Sequence, residues 1–357
     1  MNATLAETLA PDSFPPVARL RLDGDALVAN WRALDRLSVD ARAGAAVKAD
    51  GYGLGARDVV RRLAAAGCRD FFVANWREAA AIADLVEPQS IAVLNGVFAD
   101  EIAAALGLGC VPVLNSAEQV VRWRAAGGGR CHVMLDSGMN RLGIDLARER
   151  PDLSGLDIDL VLSHLASADE QVPQNDAQRA RFAAELAAVP ARRRSLANSA
   201  GIALGSPFHF DLTRPGLALY GGVPCEALVA AIAPVAAVEA RVVQARQIGP
   251  GDRVGYSGTF VADRPMRALV VAIGYADGYL RGFSNRGWAV ADGARLPVLG
   301  RVSMDLLIVA GDAVPEVGEG DWIGIAYDLP AASLASGLSQ YELITGLSDR
   351  FERIWTG

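Results

Sequence analysis

The feature that most constrains the fold is a regular alternation of short apolar runs with longer amphipathic stretches between residue 25 and about residue 220. The stretches carry apolar residues at positions i, i+3 and i+4, the spacing of helices that pack one face on a core. Roughly eight such β-α units in about 200 residues predict an α/β fold, a (β/α)8 barrel of the TIM type over residues 24–236. An open doubly wound sheet fits less well, because no G-x-G-x-x-G follows the first strand. The apolar runs are AAVKAD, FFVAN, IAVLNG, VPVLNS, HVMLD, LVLSHLAS, RSLANS and the less regular segment 208–220.

A different pattern begins near residue 237. The segments there are short, rich in β-branched residues and separated by Gly, Pro and Asp turns, which predicts a mainly β C-terminal domain over residues 237–357. A helix is predicted there only in the final stretch, QYELITGLSDRFERIW. The early strand at about residues 17–23 precedes the first barrel helix, so we expect it to pair with this β domain.

Composition excludes several classes of function. The net charge is 34 − 41 = −7, which argues against a nucleic-acid partner because such proteins need a basic face. The most apolar stretch, residues 227–238, lies between Glu226 and Glu239 and contains Pro234; it is too short to cross a bilayer core of about 30 Å. The opening segment MNATLAETLAPDSF has no basic region and carries Glu7, unlike a secretory signal. We therefore expect a cytoplasmic protein without a membrane partner.

Cysteine and histidine spacing gives no metal-binding pattern. The cysteines form no C-x-x-C pair, and the histidines have no spacing such as H-E-x-x-H. Buried, reduced thiols and no metal site are therefore the prediction. The residues concerned are Cys68, Cys110, Cys131, Cys225, His132, His164 and His209.

Polar residues close several of the apolar runs, where a barrel of this kind places its chemistry. Lys48 closes AAVK, Arg141 follows HVMLD, His164 closes LVLS and Asn198 closes RSLAN. Lys48 is a lysine in a chain whose cations are mostly arginine. A lysine desolvated at a strand end has a lowered pKa and can form a Schiff base. From the motif shape alone, a solvated loop lysine is the commoner case.

The segment around Lys48, VKADGYGLGA, closely resembles the pyridoxal-phosphate lysine motif of alanine racemases. Seven later segments recur in that family in the same order, so the resemblance spans nearly the whole chain. It implies a fold-type III pyridoxal-phosphate enzyme, a barrel followed by a β domain, that interconverts L-alanine and D-alanine and supplies D-alanine for peptidoglycan. The segments are LDSGMNRLG, SHLASAD, LANSAG, RPGLALYG, VGYSGTF, IGYADGY and GRVSMD.

The resemblance implies a pair of catalytic residues. Lys48 would hold the cofactor and serve as one base, and Tyr256 would be the opposite base, supplied by the partner subunit of a homodimer. Racemisation requires two bases on opposite faces of the reacting carbon, because one base that returns its proton to the same face restores the original configuration. Without the resemblance, Tyr256 would be interpreted as an aromatic residue in a turn.

The cofactor contacts are likewise implied by the resemblance. Arg214 would face the pyridine nitrogen, and since an arginine has no acceptor and keeps its proton, that nitrogen would stay essentially unprotonated. Alone, Arg214 would be interpreted as a surface or salt-bridging arginine, and His164 as a core histidine. The predicted phosphate contacts are Tyr52, Ser199, the backbone at Gly216 and Leu217, and Tyr341. His164 and Asn198 would lie beside the ring.

The substrate contacts come from both domains in this interpretation. Arg141 would bind the phenolic oxygen of the cofactor and help to orient Tyr256. Met304, Asp305 and Tyr275 would lie at the substrate entrance as residues of the partner subunit. The backbone N–H of Met304 would meet the substrate carboxylate.

One residue departs from the family pattern. Many members have a lysine, carbamylated in known cases, two residues before the aspartate of D-[ST]-G-M, where this chain has Met134. Arg141 therefore lacks that anionic partner, and we expect a changed hydrogen-bond network on the cofactor side with activity retained.

Two alternatives remain open from the sequence. The first is a racemase of broader or different specificity, acting on serine or lysine, because small pockets discriminate one methylene by only about 1–3 kcal/mol. The second is a non-catalytic pyridoxal-phosphate carrier. A β domain with Tyr256 and Met304 disfavours a carrier, which needs no second base.

Overall fold

The computed structural model describes residues 14–357. The opening segment with Glu7, on which the prediction of no secretory signal rests, lies outside the described residues. The described chain divides into two compact units, one of residues 23–235 with Gly357 and one that joins residues 14–22 to residues 236–356. In the part from residue 14 onward, no helix has the length and apolarity to span a membrane. The first strand, β1 (Ala18–Asp23), leads into the first unit.

The unit of residues 23–235 is built on short parallel strands. Seven of the nine form one sheet in chain order. The remaining two, which are the first and the last along the chain, pair with each other in parallel. Closure is visible in the backbone: Gly44 N donates to Thr213 O at 2.9 Å, and Arg214 N donates to Ala197 O at 2.8 Å. The (β/α)8 barrel prediction is confirmed. The strands are β2 (Arg42–Ala43), β3 (Ala45–Ala46), β4 (Phe71–Val73), β5 (Ile91–Val93), β6 (Val111–Leu114), β7 (Arg130–Met134), β8 (Asp157–Leu162), β9 (Arg193–Ser195) and β10 (Leu212–Thr213).

Helices follow most of these strands after short turns. Two of them begin with a polar cap two residues beyond the strand end: Asn75 Oδ1 accepts from Glu78 N at 3.1 Å, and Ser116 Oγ accepts from Gln119 N at 3.3 Å, each satisfying an orphan N–H. Between β7 and β8 there is a loop instead, and it carries Arg141. The helices are α1 (Gly24–Leu37), α2 (Lys48–Tyr52), α3 (Ala56–Ala66), α4 (Trp76–Ile82), α5 (Ile102–Leu108), α6 (Ala117–Ala125), α7 (Pro173–Glu185) and α8 (Ser199–Ala203).

Several barrel strands are buried along their whole length. Every residue of β4, β5 and β6 is buried, as expected for parallel strands covered on both faces. Each fully buried Val, Leu or Phe side chain contributes about 1.5–3 kcal/mol to folding. This rigid core holds the strand ends, and with them Lys48 and Arg214, in fixed positions.

The second unit is mainly antiparallel β-sheet around one long strand, β11, which pairs with β1, β14 and β18. A register shift between Val242 and Gln244 lets the two ends of β11 serve different neighbours. The prediction of a mainly β C-terminal domain is confirmed. The strands are β11 (Ala236–Ile248), β12 (Arg253–Val254), β13 (Phe260–Val261), β14 (Met266–Val271), β15 (Trp288–Ala291), β16 (Ala294–Pro297), β17 (Leu307–Ala310), β18 (Trp322–Ile325) and β19 (Glu352–Thr356).

The prediction for the chain end was partly wrong. Two short helices are present, α9 (Leu329–Ser336) and α10 (Gln340–Thr345), and the final residues form β19, which lies beside β1 in the sheet. Helix α10 ends at Thr345, and the N–H of the next residue, Gly346, donates to Glu342 O at 3.0 Å. Helix α9 was missed, although Asp328 before Leu-Pro is a recognisable helix start.

Candidate active site

Lys48 lies at the carboxyl end of β3, where Val47 N donates to Phe72 O at 2.9 Å and fixes the strand end against β4. It is the only lysine in the 357-residue sequence. Burial lowers the pKa of the Lys48 amine, the charges of Arg141 and Arg214 lower it further, and the Glu78 carboxylate opposes them. A lowered pKa increases the neutral, nucleophilic fraction of the amine.

Beyond Lys48 the backbone turns left-handed. Ala49, Asp50, Gly51 and Tyr52 have φ values of 53°, 52°, 62° and 56°. Hydrogen bonds of the i to i−4 type close the turn: Gly51 N donates to Val47 O at 2.9 Å, and Gly53 N donates to Ala49 O at 2.8 Å. Each non-glycine residue in this conformation costs roughly 1–2 kcal/mol. Surrounding contacts must therefore stabilise the turn.

Arg214 is a buried cation without a carboxylate partner among residues 14–357. Its side chain is 7% exposed; Nη1 donates to Ser195 Oγ, and Nη2 donates to Ser163 O at 2.6 Å. Burial lowers the pKa of Arg214 to about 10. Because the guanidinium has five N–H donors and both acceptors here are neutral, it retains donors for a further acceptor.

Ser199, Gly216 and Tyr52 form a small polar cradle. Ser199 Oγ accepts from Gly216 N at 2.9 Å and from Ala218 N at 3.2 Å. A Cβ atom on Gly216 would lie 2.3 Å from the Tyr52 hydroxyl, so the glycine permits this close approach. The Tyr52 ring stacks on Tyr220 with centroids 4.7 Å apart. Converging hydroxyl and N–H groups of this kind suit an anion. Leu217 begins the short 3-10 helix that follows.

His164 and Asn198 also lie at strand ends of the barrel. Burial lowers the pKa of His164 to about 3, with the charges of Arg214, Arg141 and Lys48 acting in the same direction. The imidazole is therefore neutral near pH 7. Asn198 caps α8, its Oδ1 accepting from Gly201 N at 2.9 Å.

Arg141 extends from the loop after β7 and is exposed. In the described chain, residues 14–357, no salt bridge to Arg141 is present, although its charge acts on Lys48 and His164. Asp136 shapes the loop, because its Oδ1 accepts from Gly138 N, Met139 N and Asn140 N at 2.8–3.1 Å. Met134, which departs from the lysine expected at this position of the motif, is a buried residue of β7.

Tyr256 belongs to the β unit. Its side chain is 66% exposed and borders an apolar cavity of about 350 Å³. Arg301 lines the same cavity and donates from Nη1 to Ser257 Oγ at 3.0 Å. Tyr256 is thus an exposed residue that shares a cavity with a cation of its own unit.

Tyr275, Met304 and Asp305 are brought together by backbone contacts. Tyr275 N donates to Ser303 O at 3.0 Å, and Ala276 N donates to Met304 O at 3.0 Å. A Cβ on Gly274, directly before Tyr275, would lie 2.4 Å from the carbonyl oxygens of Ser303 and Met304. Only glycine therefore allows this approach. Asp305 pairs with Arg350 at 2.9 Å. Met304 is 53% exposed.

Lys48, Arg141, His164 and Arg214 therefore act on one another in the barrel, and Tyr275, Met304 and Asp305 form a group in the β unit. Tyr341 lies on α10 of the β unit, 43% exposed. Its predicted phosphate contact stays a prediction, as do the roles of the other site residues.

Sequence reasoning missed the residues that support the site: Glu78 beside the Lys48 turn, and Ser163 and Ser195 behind Arg214. A capping pattern, Asn75 with Glu78, was the available signal for the first. No sequence signal marks the two serines. In the barrel, a nucleophilic amine, a cation with spare donors and an anion cradle together suit a ligand that carries a carbonyl, a ring acceptor and an anionic group.

Comparison with known proteins gives matches over both units. Residues 22–224 match the family described as "Alanine racemase, N-terminal domain", and residues 235–355 match "Alanine racemase, C-terminal domain". The alanine racemase of Acidiphilium cryptum (strain JF-5) is 42% identical over 349 residues, covering 94% of this chain and 98% of that protein. The biosynthetic alanine racemase of Agrobacterium fabrum is 40% identical over 362 residues, covering 94% and 93%.

Solved structures give the same result. An alanine racemase from Bartonella henselae with covalently bound pyridoxal phosphate has a TM-score of 0.89 and 35% identity, over 96% of this chain and 100% of that one. The biosynthetic alanine racemase of Pseudomonas aeruginosa has a TM-score of 0.86 and 33% identity, over the same shares. The similarity thus holds in sequence and in backbone.

Proposed function

This chain belongs to the alanine racemase family, and from that premise we propose that it interconverts L-alanine and D-alanine with pyridoxal 5'-phosphate as its cofactor. The observation that carries the proposal is the position of its only lysine. Lys48 is half-buried at the mouth of the barrel, with a lowered pKa and with Arg141 and Arg214 near enough to act on it.

The residues of the barrel fit this cofactor. Lys48 would hold it covalently, the Arg214 guanidinium would face the ring nitrogen, and the cradle of Ser199, Gly216 and Tyr52 would take the phosphate, joined by Leu217 N and Tyr341. The buried Arg214, whose bonded acceptors are neutral, supports the fit because it leaves donors for the ring. When bound, the cofactor withdraws electrons from the Cα–H bond of the attached amino acid.

Proton transfer would use two groups of the protein. Lys48 Nζ takes or returns the proton on one face of Cα, and the Tyr256 hydroxyl of the partner subunit does so on the other. The lowered pKa of Lys48 suits this task, because the amine can exist unprotonated closer to neutral pH. Arg301 lines the same cavity as Tyr256 in its own unit and donates to the hydroxyl of the next residue, Ser257.

Arg214 would restrict the chemistry. Because arginine keeps its proton, Arg214 would donate a hydrogen bond to the ring nitrogen without protonating it. Ser195 and Ser163 fix the orientation of the guanidinium, and the neutral His164 beside it adds no charge. We expect this environment to limit side reactions such as transamination. Asn198 would lie beside the ring.

The remaining roles concern the substrate. Arg141 would contact the cofactor's phenolic oxygen and orient Tyr256, with Met134 leaving it without an internal anionic partner. Tyr275, Met304 and Asp305 of the partner would border the entrance, and Met304 N would donate to the substrate carboxylate. The enzyme would act as a cytoplasmic homodimer that supplies D-alanine for peptidoglycan.

Circular dichroism of the purified, cofactor-loaded protein tests the proposal. Incubation with L-alanine, L-serine or L-lysine in separate samples should abolish the optical signal of alanine much faster than that of the others. Similar rates with serine or lysine would indicate a broader racemase. A constant signal with all three would contradict racemase activity and support a carrier.

A further inference from the structure

At two βα junctions of the barrel, a side chain near the helix start makes the same backbone contact. Glu78 and Gln119 are each the third residue of a helix, α4 and α6. Each side chain reaches back to the N–H one residue before its helix cap: Ala74 N donates to Glu78 Oε2 at 2.7 Å, and Asn115 N donates to Gln119 Oε1 at 2.8 Å. This is one residue beyond the usual capping-box contact.

The second atom of each side chain reaches the turn of the preceding strand. Gln119 Nε2 donates to Asn95 O at 3.2 Å, after β5. Glu78 Oε1 instead accepts from Ala49 N at 3.0 Å, the N–H directly after Lys48. The two junctions therefore differ in the polarity of the neighbouring turn.

The left-handed conformation explains this difference. The turn at Ala49 presents an N–H to the neighbouring junction, whereas the turn at Asn95 presents a carbonyl oxygen. A glutamine has one acceptor and one donor end, so it matches Asn95. Two N–H groups require two acceptors, and only a carboxylate provides them. Glu78 is thus chemically matched to a left-handed turn after β3.

We propose that Glu78 is the positioning residue that holds the left-handed turn carrying Lys48, an inference that rests on the proposed role of Lys48 as the cofactor lysine. The turn's own bonds, from Gly51 N and Gly53 N, lie within residues 47–53. The Glu78 bond ties the turn to α4 and the end of β4. Without it, Ala49 and the lysine before it leave the orientation that the barrel mouth requires.

Labelling of the single lysine tests this role directly. Cofactor-free protein is mixed with pyridoxal phosphate, the adduct is fixed with borohydride, and the rate of labelling is followed by mass spectrometry. A Lys48→Arg variant gives the background from the chain's α-amino group. Because Glu78→Gln also removes a charge that raises the pKa of Lys48, rates are compared above pH 10.5, where the amine is mostly neutral in both proteins. There Glu78→Gln, which loses one acceptor, should be labelled about tenfold more slowly than wild type.

Gln119→Glu is the matched control. It is an isosteric exchange at the same helix position in another junction, and it too loses one of the two hydrogen bonds. Because Asn95 lies in a different turn, labelling of Lys48 in this variant should stay within about twofold of wild type. An equally slow Gln119→Glu would overturn the proposal, since the effect would then follow from any loosened junction.

A second substitution separates positioning from helix stability. Glycine adopts positive φ without a Cβ penalty, so Ala49→Gly added to Glu78→Gln should recover at least about threefold of the lost labelling rate. No recovery would assign Glu78 to the stability of α4 alone and overturn the proposal.

Two further outcomes complete the test. Labelling of Glu78→Gln at the wild-type rate overturns the positioning role while the proposed function stands. If wild-type Lys48 takes no label, the proposed function fails and this inference fails with it. Should Glu78→Gln not fold, amide exchange in the wild-type holoenzyme decides: slow exchange at Ala49 N supports the bond to Glu78, and fast exchange contradicts it.

Discussion

At Lys48, burial and three neighbouring charges act on one amine. Burial and the two arginines, Arg141 and Arg214, lower its pKa, whereas Glu78 raises it, and the net direction is down. The sequence placed Lys48 at a strand end, where a solvated loop lysine is the commoner case and a desolvated one the alternative. It could not predict the balance of these charges, because Glu78 and Arg141 are 30 and 93 positions away in the chain. Only the closed barrel brings such distant residues together.

The pH dependence of Lys48 reactivity follows from this balance. The neutral amine is the reactive form, so a lowered pKa moves the rise in reaction rate to lower pH. In cofactor-free protein, the midpoint for modification of Lys48 by an amine reagent should lie below the ordinary lysine value of 10.5. Mass spectrometry of the Lys48 peptide across pH 7–11 measures it. A midpoint at or above 10.5 would contradict the electrostatic account.

Replacement of Arg214 by lysine should impair activity. A lysine lacks the planar fork that bonds Ser195 Oγ and Ser163 O together, and its proton can leave when it is buried. Arg214→Lys should lower kcat/KM for L-alanine by at least about tenfold. Arg194→Lys is the control, because Arg194 directly precedes Ser195 on β9 but is exposed and pairs with Asp211 at 2.7 Å. Equal kinetics for both variants would count against the proposed role.

At the scale of elements, sequence patterns predicted most strands and helices but not unusual backbone. The glycines at 51, 53 and 55 indicated a turn with close approach, yet Ala49, Asp50 and Tyr52 adopt the left-handed region too. Local propensity disfavours that conformation, so tertiary contacts decide it. The helix prediction for the chain end was wrong for a related reason. The helical spacing of apolar residues continues past Gly346, but pairing beside β1 makes residues 352–356 a strand.

The cradle predicts a selective binding defect. In Gly216→Ala the new Cβ would lie 2.3 Å from the Tyr52 hydroxyl and would displace it. Affinity for pyridoxal phosphate should fall about tenfold, the effect of losing a charge-assisted hydrogen bond, while affinity for pyridoxal, without phosphate, should change little. Absorbance titration of the cofactor-free variant measures both constants. Gly107→Ala, whose Cβ would meet nothing within 4 Å, should bind both as wild type does.

For the whole molecule, the order of motifs predicted a barrel followed by a β domain, and the family resemblance was confirmed by matches over residues 22–224 and 235–355. Pattern alone could not tell where Tyr256 acts, because its segment would otherwise indicate an ordinary turn. The exposed tyrosine beside an apolar cavity fits a surface that a second subunit covers, and the shared site remains our proposal.

Subunit mixing tests the shared site. Lys48→Ala and Tyr256→Phe should each be inactive alone. After exchange at equal amounts, half of the dimers are mixed and each has one intact site, so activity should recover to about a quarter of wild type. Native mass spectrometry confirms that exchange has occurred. No recovery in a sample that contains mixed dimers would exclude a site built from both subunits.

The single lysine has a practical consequence for handling this protein. All other side-chain cations are arginines, so amine-directed coupling to a bead, a dye or a crosslinker has only Lys48 and the chain's α-amino group to react with. Attachment through amines will therefore either tether the chain by its end or block the barrel mouth. Bound cofactor, with the excess removed, should protect the lysine during coupling and leave the α-amino group to react, so that an immobilised catalyst retains its turnover.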